Sequence, residues 1–275
     1  MGHRDDPYAY LQPKRHSAGP ILVVAIALGL VVLAAGVGKY WLEEQANPDA
    51  LPLATGPDAV PVPLTAADSI PAEEIPPLDL PALDASDAVV RDLVAGLSAH
   101  PQVAKWLVSD TLVRRFVAGV VSLSEGSSPA RHVRFLEPAG RFRVQESEGR
   151  MFVDPASYRR YDVLAETFVS LDTRGTARLY RQLMPLFDEA YRDMGIPDAP
   201  FGDALARAMG NLLRARVPEQ APELVHGVLV YEFADADMEA RTPAEKHVLR
   251  LGPTNARRVQ AKLRELAAAL GIEPH

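Results

Sequence analysis

Residues Pro20 to Gly38, PILVVAIALGLVVLAAGVG, form an uncharged run of nineteen residues, and no other stretch limits the fold of this chain as tightly. At ~1.5 Å rise per residue a helix of that length spans roughly 28 Å, close to the ~30 Å hydrocarbon core of a bilayer. The Val, Ile and Leu in the run would favour a strand in water. Lipid, however, offers no partner for backbone N–H and C=O groups, so a lone segment must satisfy them internally, as a helix. The run predicts a single transmembrane anchor over residues 20–40, preceded by a short polar tail over residues 1–19.

The flanks give the expected orientation. Arg4, Lys14, Arg15 and His16 precede the run, whereas Lys39 is followed by Glu43, Glu44 and a linker without basic residues. The tail is therefore expected in the cytoplasm and the rest of the chain outside it. Tyr40 and Trp41 fall where an interfacial aromatic belt forms, and Lys39 can snorkel toward headgroups. A cleaved signal peptide is the competing reading, since LAAG at Leu33 to Gly36 offers small residues to a peptidase, but signal cores are usually shorter. Ala25 and Gly29 also make a small-xxx-small pair of the kind that lets two membrane helices approach.

From residue 41 to residue 82 the composition changes to proline and acid, with Asp49, Asp58, Asp68, Glu73, Glu74 and Asp79 and no Lys or Arg. Such a stretch cannot bury a core; it reads as a disordered, extended spacer. The proline-dense part from Ala46 to Ala82 would reach up to roughly 115 Å at ~3.1 Å per residue. The spacer also carries the charge imbalance. Of 29 Lys+Arg only four precede residue 83, and of 36 Asp+Glu ten do, which leaves 25 against 26 in residues 83–275. A nearly neutral domain is not built for bulk nucleic-acid binding. The chain has no cysteine, which excludes disulfides, thiolate nucleophiles and Cys-based metal sites.

Residues 83–275 predict one globular domain, mainly α with a minor β element. Helices are expected from Asp87, capped by Asp84 or Ser86; through Val103 to Val108; from Thr111 to Leu123; from Pro155 through Phe168 behind an Asp154 cap; from Thr173 or Thr176 toward Gly195; over Phe201 to Leu213; after Thr242-Pro243; and over Thr254 to Leu270. Pro185 is expected to kink or interrupt its helix. Arg141 to Val144 and Met151 to Val153 read as a hairpin turning near Gly149, and Leu224 to Phe233 as one strand.

Several blocks in order, LDASDAVVRDLV at Leu83 to Val94, HPQVAKWL at His100 to Leu107, DPASYRRYDVLA at Asp154 to Ala165, MPLFDEAYRDMGIP at Met184 to Pro197 and LRLGPTNARRVQAKLREL at Leu249 to Leu266, resemble the bacterial envelope proteins grouped as domain of unknown function 3014. The resemblance covers residues 83–275 and implies a cytoplasmic tail, one membrane anchor, a variable Pro-rich tether and this domain. It implies no activity, so no catalytic residue transfers.

Chemistry has to be sought in the residues themselves. There is no GxSxG elbow, phosphate-binding GxxxxGK loop, GxGxxG turn or HExxH pair. Asp235, Asp237 and Glu239 begin like a calcium loop, but Ala240 stands where its glycine belongs and Lys246 where its last glutamate belongs, so they are expected to open a short helix. His100, His132, His226 and His247 lack metal-ligand spacing, and neither a metal nor a cofactor is expected. The densest polar group is Tyr158, Arg159, Arg160, Tyr161 and Asp162. On a helix it would place Tyr158 and Asp162 together and turn Tyr161 to the core. Asp154, Glu189, Tyr191 and Arg250 are its candidate partners. The competing reading is a buried network tying helices together. A second candidate is the strand face carrying Arg141 and Arg143, with Arg131, Arg134 and Arg150 near in sequence, which suits an anion or a partner's acidic patch.

These features predict an inner-membrane-anchored protein whose helical domain faces the periplasm and binds an envelope protein or polymer. The alternative is a tethered envelope hydrolase working through paired carboxylates, which need no contiguous motif.

Overall fold

A computed structural model describes residues 78–133, 136–196, 199–227 and 230–275. The apolar run and the spacer up to residue 77 lie outside the described residues, as do the expectations attached to them. Among the described residues no helix is long and apolar enough to cross a membrane.

A short 3₁₀ helix (Leu83–Ala85), ten α-helices and four strands are described: α1 (Asp87–Ala95), α2 (Pro101–Trp106), α3 (Leu112–Ser124), β1 (Val144–Ser147), β2 (Arg150–Val153), α4 (Pro155–Arg159), α5 (Asp162–Val169), α6 (Thr173–Asp193), α7 (Phe201–Arg214), β3 (Glu223–His226), β4 (Tyr231–Phe233), α8 (Ala236–Glu239), α9 (Pro243–Arg250) and α10 (Gly252–Leu270). The fold is mostly helical with one small antiparallel sheet, as its sequence predicts.

The core forms where α3 lies against α6 and α7. Leu112, Val113, Phe116, Val117, Val120, Val121 and Leu123 bury most of the circumference of α3, so this helix needs neighbours on several sides. Phe116 meets Phe187 of α6 edge-on at 5.0 Å and Phe201 of α7 at 5.4 Å. These T-shaped pairs set the electropositive ring edge against the neighbour's face. The N-terminus of α3 is capped from another helix: the Asp87 carboxylate of α1 accepts from the Thr111 N–H at 2.6 Å and from the Leu112 N–H at 2.9 Å. Ser86, one of the two expected caps of α1 with Asp84, instead turns its hydroxyl onto the Leu83 carbonyl, and α1 starts without a side-chain cap.

Pro185 lies inside α6, which runs unbroken from Thr173 to Asp193. Proline removes one donor, but Leu179, Leu183, Leu186 and Phe187 are buried on both sides of it, and that packing holds the helix together across the gap. One amphipathic stripe therefore outweighs one lost hydrogen bond.

The sheet has the order β1-β2-β3-β4. Its first hairpin turns at Glu148 and Gly149, both with positive φ (53° and 73°), as a two-residue primed turn requires. Val144 pairs with Val153 and Ser147 with Arg150, so the first strand begins three residues later than the arginine alternation suggested, and Arg141 and Arg143 precede it. The expected single strand from Leu224 to Phe233 is two strands, β3 and β4, with Leu224 opposite Phe233. The break falls at Gly227, whose N–H donates to the Val230 carbonyl at 2.9 Å. A Cβ there would stand 2.5 Å from that carbonyl oxygen, so the chain can fold back at this position only as glycine.

The inner sheet face, Val153, Leu224 and Phe233, closes a small apolar cluster with Leu249 of α9. Thr242 and Glu245 form a reciprocal capping box that starts α9 beside this cluster.

Candidate functional site

The polar residues from Tyr158 to Asp162 do not share one helix. Asp154 caps α4 by accepting from the Ala156 N–H at 2.7 Å, as expected, but α4 stops at Arg159 and α5 starts at Asp162. The chain tightens between them: the Tyr161 N–H donates to the Tyr158 carbonyl at 3.0 Å, three residues back instead of four. This turn frees the two tyrosines to point differently. Tyr161 is buried, as its sequence position predicts, and Tyr158 is half-buried against the sheet cluster.

What receives them is the joint between α9 and α10. Gly252 has φ of +75°, and a Cβ added there would lie 2.5 Å from the Tyr158 ring, so the ring rests directly on the glycine backbone. Three residues on, the buried Asn255 amide donates to the Asp162 carboxylate at 2.8 Å and to the Tyr158 carbonyl at 3.4 Å. Arg250, the last residue of α9, lies close enough to Tyr161 for each to alter the other's ionisation. Burial raises the Tyr161 phenol, opposed by the charges of Arg250 and Arg160. Burial alone pushes Tyr158 up to about 12. Burial lowers the Arg250 guanidinium, opposed by Tyr161 and Glu239.

Of the expected partners, then, Arg250 joins the cluster and Asp154 serves as the cap of its first helix. Tyr191 packs edge-on against Phe201 at 5.9 Å, in the core instead. Gly252 and Asn255 were not singled out for this cluster, although a Gly-Pro pair at a helix start followed by a buried Asn is a readable sign of a tight joint. Arg159 is exposed, and the Arg160 guanidinium carbon stands 5.9 Å from the Tyr161 ring centroid.

The arginines near the first hairpin have separate settings. Arg141 and Arg143 are both exposed. The backbone of Arg143 is held by Ser157, whose hydroxyl accepts from its N–H at 2.7 Å and donates to its carbonyl at 2.9 Å. Arg150 lies over the Phe152 ring at 5.3 Å and forks onto Glu223, with Nε to Oε1 at 2.9 Å. Arg131 donates to the His132 ring at 2.8 Å, and Arg134 lies outside the described residues.

One pair escaped sequence reasoning altogether. His247 of α9 and Ser128, distant in sequence, stand 2.8 Å apart, Nε2 to Oγ. Burial, and then the Arg250 charge, hold the His247 imidazole well below its usual 6.5. Activating a serine requires the imidazole to accept a proton. Here the imidazolium would be both desolvated and repelled by a guanidinium, so the pair is suited to tying the loop after α3 to α9 and poorly suited to nucleophilic catalysis.

The acids near the joint are likewise engaged. Asp235 caps α8 through the Met238 N–H at 2.8 Å, as expected for the acidic run. Burial would raise the Glu239 carboxyl, but bonds from Lys246 and from the Phe233 N–H hold it below its ordinary range. Among the described residues, no three His, Asp or Glu side chains converge as a metal-binding group.

No curated protein and no solved structure matches the chain. The family described as protein of unknown function (DUF3014) matches residues 112–267, from the start of α3 into the last turns of α10 and including the whole α4–α5 and α9–α10 joint. That is more than half of the chain, and the chain belongs to this family.

Proposed function

We propose that the chain is a single-pass inner-membrane protein whose helical domain, held in the periplasm by the acidic spacer, binds an envelope protein or polymer. The membrane placement rests on the uncharged run at Pro20 to Gly38 and the basic residues ahead of it. The choice of binding over hydrolysis rests on one observation: most of the groups that could act as acids or bases at the joint are already committed to holding it, exposed Glu137 being the exception. Asp162 accepts from Asn255, Asp154 caps α4, Glu239 holds Lys246, and His247 resists protonation. General acid–base work needs a carboxyl or imidazole free to exchange a proton near the working pH. Exposed arginines also stand on these elements, Arg141, Arg143 and Arg159, which recognise acidic groups without reacting with them.

The test is site-specific photo-crosslinking of the full chain in cells, with the crosslinker placed in turn at Arg143, at Arg159 and at the exposed Glu273. A discrete adduct from the two arginine positions and none from Glu273 is the expected result. Purified chain that hydrolyses a cell-wall substrate, with no adduct at any position, would replace binding by catalysis.

A further inference from the structure

The sheet has two edges, and the fold closes one of them. Successive residues of an antiparallel strand turn their N–H and C=O groups alternately toward one side and the other. The Ala234 N–H donates to the Glu223 carbonyl at 3.0 Å and the Gly227 N–H to the Val230 carbonyl at 2.9 Å, so the backbone groups of Tyr231 and Phe233 face outward from β4. There Glu239 of α8 accepts from the Phe233 N–H at 2.9 Å and caps that edge. At the other edge the Asp154 N–H donates to the Arg143 carbonyl at 3.1 Å, and the two-residue turn pairs Ser147 with Arg150. Arg143, Gln145 and Ser147 therefore bond toward β2, and the N–H and C=O groups of Val144 and Glu146 point away from it. The Val153 N–H, which donates to the Pro222 carbonyl at 3.3 Å on the far side of β2, fits the same alternation. Among the described residues no strand or side chain bonds to this edge of β1.

An open edge takes extended chains through its backbone, and the side chains beside it select among them. Side chains alternate as well, so Arg143, Gln145 and Ser147 share the outer face of the sheet with Phe152, which lies opposite Gln145. Arg143 is exposed, and both of its backbone groups are held by the Ser157 hydroxyl, which fixes a positive charge where the edge begins. Exposed Arg141 stands two residues before it. The acids of the hairpin lie elsewhere: Glu146 is on the opposite face, Glu148 is in the turn, and Glu223 is taken by Arg150.

We propose that the free edge of β1 receives an extended acidic segment of a partner protein as a fifth strand, with a carboxylate of that segment on Arg143. Val144 and Glu146 supply the backbone bonds, and the Arg143 fork supplies the preference for acid. This inference rests on reading the domain as a binding module and names its partner as a protein. A second copy of β1 fits poorly. Pairing through the outward residues sets Val144 or Glu146 against the same two residues of the copy, and Arg143 then lies opposite Gln145, Ser147 or Gly149 and never opposite a carboxylate. The acidic spacer of the chain also fits poorly, because nine prolines between residues 46 and 82 remove strand donors from it.

The full chain, purified in detergent, is titrated with three capped synthetic peptides: alternating glutamate and valine, alternating lysine and valine, and the glutamate peptide methylated on alternate backbone nitrogens. The glutamate peptide is expected to slow amide hydrogen exchange at Val144 and Glu146 by about tenfold or more, while Gln145 and Ser147, already bonded to β2, keep their rates. Arg143→Glu should weaken its apparent affinity by about tenfold or more, and Arg264→Glu, on the exposed side of α10, should leave it unchanged. Glu146→Pro removes an outward donor at a place where an edge strand accepts proline, so it should abolish binding and keep the melting temperature. Equal binding of the lysine peptide overturns the proposal, as does equal binding of the methylated one. Should Glu146→Pro not fold, the exchange rates in the unaltered chain decide: unchanged rates at Val144 and Glu146 overturn the proposal. Slow exchange at both before any peptide is added assigns the edge to the chain's own spacer, and self-association that Glu146→Pro removes assigns it to a second copy; either result overturns the proposal. Loss of peptide binding with the crosslinked adducts retained removes the strand site and leaves the binding module; peptide binding without adducts does the reverse.

Discussion

Asn255 carries more of the joint than its size suggests. Its amide is buried and bonds both to a carboxylate on α5 and to the Tyr158 carbonyl freed where α4 ends. Replacing it by alanine strips a partly buried carboxylate of its partner, so Asn255→Ala is expected to lower stability by about 1–3 kcal/mol, measured by urea denaturation. His247 adds a pH dependence. Its folded pKa lies well below its unfolded value near 6.5, so between the two the unfolded chain binds the extra proton. The stability tied to it is present above about pH 6.5 and falls as the pH drops, by up to about 1.4 kcal/mol per unit. Melting temperatures between pH 7.5 and 5.0 should therefore decline, and His247→Gln should flatten most of the slope. A smaller slope should remain from His132, which burial and then Arg131 and Arg115 shift the same way. An unchanged slope in His247→Gln would assign the effect to other groups.

At the scale of elements, the joint depends on a ring lying on a glycine. Gly252→Ala puts a methyl group 2.5 Å from the Tyr158 ring at a φ of +75°, so it carries both a steric cost and a backbone cost. Tyr158→Ala removes only the first. In a double-mutant cycle, Gly252→Ala is expected to be less destabilising in the Tyr158→Ala background by about 1 kcal/mol or more, and strict additivity would mean that the ring and the glycine are not coupled. This joint also marks how far the fold could be read in advance. Helices with long apolar stripes, α3, α6, α7 and α10, follow from periodicity because the pattern repeats over several turns. The breaks between α4 and α5 and between β3 and β4 do not. Each depends on a neighbour distant in sequence or on a single glycine, Asn255 and Gly252 for the first and Gly227 for the second. The same reason divides the candidate site. Tyr158, Arg160 and Asp162 were visible as a dense polar run, whereas the three-dimensional pairing that sets Arg160 apart from Asp162 was not.

At the scale of the whole molecule, the described residues form two apolar clusters, a large helical core and a small one under the sheet, and α9 belongs to both. Val248 and Leu251 enter the helical core, Leu249 enters the sheet cluster, and Val217 touches each. The sheet therefore cannot separate without uncovering one side of a helix that the core needs. Short strands such as these are marginal when isolated, and here they gain stability from the helix they share. Unfolding should accordingly be a single cooperative transition. Trp106 reports on the helical core, outside the sheet cluster, and can be followed by fluorescence in a Trp41→Phe background. Leu249→Ala removes a side chain of the sheet cluster only, at a typical cost of about 2–5 kcal/mol. If α9 couples the clusters, the Trp106 midpoint in urea moves down by that full amount although the mutation lies in the other cluster. If Trp106 keeps its midpoint while the β-sheet circular dichroism signal is lost early, the sheet unfolds independently of the helical core and α9 does not couple the two clusters.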